Sequence, residues 1–310
     1  MPARGLSLTK IQYAQKAWHL VTGCTRVSAG CDHCYAQRLL ARKLPGLGHN
    51  AEPGRVVFHE DRLSQPLHTR KPAVVFVAPL GDLFHEDVEQ WMFNAIIHGM
   101  LDAPQHVYLL LTKRPYAMAR MMDYFAEEHA ALSHLREPLS KNLWLGVSVE
   151  DQATADERLP ILASIDWPNK WISAEPLLGP VDSCSLLTPR APKPEVGEAY
   201  PGARPSAMYR HGDSAFGWVV CGCESGPGAR PFDEDWAREL RDECEASRTP
   251  FYYKQAPRGW CRRCQHYTIG TTGDDCPGCD GRLVRRGVWE HPLLDGRTWT
   301  ETPWGGTPDA

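Results

Sequence analysis

The chain has 310 residues, 42% hydrophobic and 23% charged, with a net charge of −4 and eleven cysteines. This is enough for one large domain or two small ones, with no run of roughly 18 apolar residues to span a membrane and no apolar stretch of a secretory signal near the start. The near-neutral charge neither marks nor excludes a nucleic-acid partner, and cysteines grouped in tight C-x2-C clusters suit metal ligation in a reducing, cytoplasmic compartment better than disulfides.

A strand at about Trp18 to Thr22 leads into Val21-Thr-Gly-Cys-Thr-Arg-Val-Ser-Ala-Gly-Cys-Asp-His-Cys-Tyr35, where Cys24, Cys31 and Cys34 are spaced C-x6-C-x2-C. Three thiolates can hold a metal centre but cannot close one. Structural zinc takes four ligands, and a four-iron cubane takes one thiolate per iron. One corner stays open, where a substrate or cofactor can bind. The alternative is a zinc knuckle completed by His19, His33 or His49.

Further strands are expected at Val74–Ala78, Val107–Thr112, Leu143–Val149, Trp171–Ala174, Trp218–Cys221 and Phe251–Lys254. Being apolar on both faces, most read as buried parallel strands. Between them, Val88, Trp91, Met92, Ala95, Ile96 and Gly99 fall on one helical face, as do Trp236, Leu240 and Cys244 after Asp233, a plausible N-cap. Cys221 and Cys223 share one face and read as small buried thiols. Alternating β and α elements imply a parallel sheet, and six or seven β-α units over roughly 240 residues suit a partial or complete β/α barrel. Residues 184–214, rich in Pro, Gly and Ala, read as an irregular insertion or lid.

Each strand finishes in polar residues that a plain core would not require: Gly81, Asp82 and His85; Thr112, Lys113 and Arg114; Ser148 and Glu150; Glu175; Glu224 and Arg230; Lys254 and Gln255. One such residue usually caps a helix or faces water. Six sets at one end of one sheet would ring a single mouth.

Near the C-terminus, Cys261, Cys264, Cys276 and Cys279 form C-x2-C-x11-C-x2-C, a complete tetrahedral set and a strong zinc-ribbon signal. An auxiliary iron–sulfur cluster or a single iron could use the same four sulfurs. Seven Lys/Arg against three Asp between Lys254 and Arg286, with Trp260, His266, Tyr267 and Trp289 interleaved, could track a phosphate backbone and stack on bases. A solvated module whose cations simply face water explains them equally well.

With its three-cysteine loop ahead of a β-α series, the sequence resembles the radical S-adenosylmethionine superfamily. More closely it resembles a phage-associated three-cysteine-motif family within or beside it. The matching segments are Val21-Thr-Gly-Cys…Gly-Cys-Asp-His-Cys-Tyr-Ala36, Gly81-Asp-Leu-Phe-His-Glu86, Leu111-Thr-Lys-Arg-Pro115, Gly146-Val-Ser-Val-Glu150, Ile172-Ser-Ala-Glu-Pro-Leu177, Glu224-Ser-Gly-Pro-Gly-Ala-Arg-Pro231, Lys254-Gln255 and Leu294-Asp-Gly-Arg-Thr-Trp299. The superfamily's usual loop is C-x3-C-x2-C, whereas the first gap here is six.

The resemblance implies residues 1–257 as a barrel including the 184–214 insertion, 258–288 as an inserted zinc ribbon, and 289–310 as a tail closing on the barrel. It implies that Cys24, Cys31 and Cys34 bind a [4Fe–4S] cluster whose fourth iron chelates S-adenosylmethionine, yielding a 5′-deoxyadenosyl radical. By position, Gly81 and Asp82 would lie near the methionyl amine, and Ser148 and Glu150 near the ribose or carboxylate. Glu224 would flank adenine, and Tyr35 supplies the aromatic beside the last cysteine. Lys113, Arg114, Glu175, Arg230 and Lys254 remain as candidates for substrate. DNA or RNA would be the substrate, flavodoxin or ferredoxin the electron donor, and Zn2+ the ribbon's ion. A non-catalytic zinc-binding nucleic-acid adaptor is the alternative; a metal-dependent hydrolase would leave the cysteine triplet unexplained.

Overall fold

The computed structural model describes residues 5–42, 54–128, 133–183, 214–226, 228–261, 263–264, 267–270, 274–277, 279 and 281–304. His49, nearly all of the 184–214 insertion and parts of the cysteine-rich C-terminal segment lie outside the described residues.

In chain order the elements begin with β1 (Ser7–Leu8), β2 (Lys16–Trp18), β3 (Val21–Gly23), α1 (Tyr35–Ala41), β4 (Val57–Phe58), β5 (Val74–Val77) and β6 (Leu80–Gly81). Next come α2 (Gln90–Leu101), β7 (Val107–Thr112), α3 (Pro115–Glu128), α4 (Ser133–Asn142), β8 (Leu143–Ser148), α5 (Gln152–Ser164) and β9 (Lys170–Ala174). Then follow β10 (Trp218–Gly222), α6 (Glu234–Ser247), β11 (Phe251–Cys261), β12 (Tyr267–Ile269), β13 (Leu283–Glu290), β14 (Leu293–Leu294) and β15 (Arg297–Thr298).

The main sheet runs β1-β2-β5-β7-β8-β9-β10-β11-β12, with β13 also on β11. From β2 to β11 every pairing is parallel. The order follows the sequence and never reverses, so right-handed crossovers all fall on one face. A doubly wound sheet would instead reverse at a switch point and carry helices on both sides.

Packing bears this out. Val75, Val77, Leu110, Leu145 and Val219 share one core with Phe93 and Ile96 of α2, Met118 of α3, Leu159 of α5 and Leu240 of α6. Their strand neighbours, one residue out of phase, face the other way: Val74, Phe76, Leu109, Trp171, Trp218, Val220 and Tyr252 pack around Tyr13. The Trp171 and Trp218 rings stack at 5.2 Å, and Tyr13 meets Trp218 edge-on at 5.2 Å. A segment before β2 therefore fills the face that the helices leave uncovered.

Two expectations are corrected in detail. The single early strand is two: β2 joins the main sheet, while β3 pairs with β4 and β6 in a small second sheet. The α2 core face is Phe93, Ile96, Ile97 and Met100, whereas Trp91 is 50% exposed. Trp91 instead packs edge-on against Phe58, with the ring centroids 5.6 Å apart. Asp233 caps α6 through the Asp235 N–H as expected. β11 spans Phe251–Cys261, with its register against β13 shifting between Pro257 and Gly259.

Candidate functional site

The carboxyl ends of the parallel strands carry the polar residues singled out in the sequence, and the cysteine loop lies over them. Cys24 follows β3 directly; Cys31 ends a 3-10 turn, Ala29–Cys31; Cys34 is the N-cap position of α1. Gln37 Nε2 donates to the Cys24 carbonyl, tying the loop's start to its helix. All three thiols are free and partly exposed.

Three carboxylates from separate strand ends hold this loop: Asp82 through Arg114, Glu150 directly through Ser28, and Glu224 through both His33 and Arg230. Asp82, just after β6, accepts from Thr112 Oγ1 (2.8 and 2.9 Å) and from Arg114 Nη1 (2.9 Å). The same Arg114 Nη1 donates to Cys24 Sγ at 3.4 Å, and its Nη2 donates to Thr25 O and Oγ1. Thr25 Oγ1 also meets His85 Nε2 at 2.8 Å. Burial and the Asp82 charge push the Cys24 thiol up to about 11, against the opposing pull of Arg114.

Glu150, at the end of β8, is fully buried. It is paired with Lys113 and with Arg158 (3.2 Å), and it accepts the Ser28 hydroxyl at 2.9 Å. The loop backbone comes so close here that a Cβ at Gly30 would stand 2.5 Å from Glu150 Oε1. Only glycine fits, for want of space rather than for its φ.

Glu224, beyond β10, accepts Arg230 Nη2 (2.6 Å), Arg230 Nε (3.1 Å) and the Arg230 backbone N–H (2.9 Å). His33 Nδ1 lies 2.9 Å away, and Arg230 Nη2 also donates to the Ala29 carbonyl. Burial alone would raise this carboxyl, but the Arg230 and His33 hydrogen bonds bring it down to about 2. Arg38 of α1 adds a bond to Ser225 O.

The fourth pair is tied elsewhere. Lys254 Nζ lies 2.8 Å from Glu175 Oε1, off the hydrogen-bonding direction, and Tyr13 OH and Ser173 Oγ approach Oε2 at 3.4 and 3.3 Å. Lys254 also sits 5.5 Å above the Tyr13 ring. Tyr35 donates its hydroxyl to Pro79 O while its ring stays 45% exposed.

Every cation singled out for substrate thus has a strand-end carboxylate: Lys113 with Glu150, Arg114 with Asp82, Arg230 with Glu224, Lys254 with Glu175. Gly81 pairs with Gly23 at the loop's start, and Ser148 gives its carbonyl to Arg158. Cys221 and Cys223 are buried. Sequence reasoning missed Thr25, Ser28, Gly30, Arg158 and Tyr13. Of these, Arg158 had a signal, standing seven residues after the Asp151 N-cap and so on the same face of α5.

Among the described residues, the one cysteine group whose ligand atoms all lie within 4.8 Å of one another is Cys261, Cys264, Cys276 and Cys279. Cys24, Cys31 and Cys34 form no such group with His19 or His33 among the described residues. His19 is instead pressed down to about 4 by burial, Arg62 and His59, and His33 is engaged by Glu224.

Fold and site define an α/β protein with a large, mostly parallel sheet and a three-cysteine loop fixed over its carboxyl edge. The chain belongs to the family described as protein of unknown function, DUF5131, which it matches over residues 8–303. No curated protein matches it. Among solved structures it is similar to spore photoproduct lyase complexed with dinucleoside spore photoproduct, at 13% identity and a TM-score of 0.44, over 92% of this chain and 72% of that one. A double mutant of that enzyme with bound AdoMet and dinucleoside spore photoproduct gives 14% identity and a TM-score of 0.43, over 91% and 71%. No described helix is long and apolar enough to cross a membrane.

Proposed function

We propose that this protein is a radical S-adenosylmethionine enzyme with a three-cysteine [4Fe–4S] centre, acting in the cytoplasm on a nucleic acid or nucleotide. The observation that supports the reading is the loop itself: three free thiols on a segment tied to the strand-end carboxylates, to Asp82 through Arg114, to Glu150 through Ser28 and to Glu224 through His33 and Arg230. When bound, the cluster and S-adenosylmethionine would supply one-electron reduction of a sulfonium and hydrogen abstraction from substrate.

The chain's own residues have distinct tasks in this scheme. Cys24, Cys31 and Cys34 would bind three irons. Asp82 with Arg114, Glu150 with Lys113 and Arg158, and Glu224 with Arg230 would hold the loop at a set height above the sheet. Gly81 at the end of β6 and Ser148 at the end of β8 would border the S-adenosylmethionine, and Tyr35 would flank it. The Glu175–Lys254 pair, tied to Tyr13 and Ser173 rather than to the loop backbone, would face substrate. Along the C-terminal hairpin, Arg258 lies over the Trp289 ring at 5.5 Å and Arg263 and Arg282 are exposed, which suits a nucleic-acid backbone. A small flavodoxin- or ferredoxin-type protein would deliver the electron.

Anaerobic reconstitution tests the reading. The protein should take up about four iron and four sulfide, the content of one cubane, and with reductant and S-adenosylmethionine it should release 5′-deoxyadenosine. Cys31→Ala should lose both. Zinc alone at the triplet, or a loaded cluster that never cleaves S-adenosylmethionine, would overturn it.

A further inference from the structure

The second cysteine group has geometry that its spacing alone could not supply. Cys261 and Cys279 Sγ lie 3.5 Å apart, Cys264 and Cys276 Sγ 3.6 Å, and all four sulfurs fall within 4.8 Å of one another. A tetrahedral ion with metal–sulfur bonds of about 2.3 Å sets its ligand sulfurs about 3.8 Å apart. A polynuclear cluster distributes its thiolates over different irons, pointing outward, so that they stand wider apart. Disulfides need sulfurs at about 2 Å, and these thiols are free.

The backbone is arranged for sulfur as well. Cys261 Sγ accepts the N–H groups of Cys264 and Arg263, and Cys279 Sγ accepts that of Gly281. A Cβ on Gly281 would stand 2.8 Å from Cys261 Sγ and 3.2 Å from Cys279 Sγ. Apart from the cysteines, Leu283 is the one buried residue of the local apolar cluster among those described. So small a core cannot order a segment of this length by hydrophobic burial, and small scaffolds of this kind need a crosslink or a metal.

We propose that Cys261, Cys264, Cys276 and Cys279 bind a single Zn2+ ion, and that this ion is a splint for the strand that carries Lys254. The site closes the outer end of the β11–β13 ladder, where Cys261 pairs with Leu283. The ladder continues inward to Gln255 opposite Glu290, and the His291 N–H donates to the Lys254 carbonyl. Seven residues of strand, about 23 Å, separate the ion from Lys254, too far for it to take part in chemistry there. A closed, redox-inert S4 set therefore acts on the site by fixing register. The proposal does not depend on what the three-cysteine loop binds.

Full-length protein purified without added metal should contain one zinc per chain, and Cys31→Ala should keep it. After zinc is stripped and Co2+ alone is added, absorption should show the thiolate charge-transfer and visible bands of tetrahedral S4 cobalt. The double substitution Cys264→Ser, Cys276→Ser should lose the zinc. Hydrogen exchange on wild-type protein before and after zinc removal should show protection lost in 255–261 and 283–290 but retained in β7 to β9. One iron per chain in place of zinc, or iron with sulfide retained by Cys31→Ala, would overturn the assignment, as would zinc surviving the double substitution. Unchanged exchange after zinc loss would overturn the splint.

Discussion

Arg114 shares one guanidinium nitrogen between Asp82 Oδ2 at 2.9 Å and Cys24 Sγ at 3.4 Å. A carboxylate at the end of one short strand is thereby linked to the first thiol of the loop. Both side chains are largely buried, so removing one partner leaves the other charge poorly compensated. Asp82→Asn should therefore lower stability by about 3 kcal/mol in urea unfolding. It should also reduce iron retained after reconstitution. Full stability in that variant would mean that Thr25 alone suffices to hold Arg114.

Gly30→Ala places a methyl group against the buried Glu150 carboxylate. Overpacking of this sort costs about 1–3 kcal/mol. The expected result is lower thermal stability and weaker cluster loading. An unaffected Gly30→Ala protein would show that the loop can lift away freely.

Glu224 gives a pH signature. Its carboxyl lies at about 2 in the folded protein, below its ordinary 4.5, so its contribution to stability is complete above about pH 4.5 and drains away as pH falls toward 2. Glu224→Gln should flatten that part of the stability-versus-pH curve, followed by denaturant titrations at successive pH values. An acid limb identical to wild type would place the lost protonation elsewhere.

Gly281→Ala tests the tight approach of backbone to sulfur. The added methyl would crowd Cys261 and Cys279. Zinc should dissociate faster into a chromogenic chelator than it does from wild type, while far-UV circular dichroism of the main sheet stays the same. Equal release rates would mean that the sulfurs have room to shift.

The strands were readable because buried parallel strands are apolar on both faces: Val107–Thr112 and Trp218–Gly222 stand where their β-branched and aromatic runs put them. The polar strand ends were readable as a group for the same reason, since a core has no use for Asp82 or Glu150 there. Their partners were less so. Periodicity says roughly which face of a helix is apolar, but the stripe through Trp91 and Ile96 was turned from the true one, since Phe93, Ile96, Ile97 and Met100 are the buried positions of α2. Gly30 carried no sequence signal, because what requires it is a carboxylate 120 positions away. Tyr13, ahead of every predicted strand, gave no local sign that it would sit among Trp171, Trp218 and Tyr252.

An object pinned at two points still swings about the line joining them; a third pin stops it. The sulfur-bearing loop has three, at Thr25, at Ser28 and at Ala29 with His33, each rooted in a different strand terminus. Loss of any one should free a single rotation rather than melt the whole loop. Damage at each root would then tilt the three thiols in its own direction, and the spectroscopic symmetry of whatever they grip would record which root had failed.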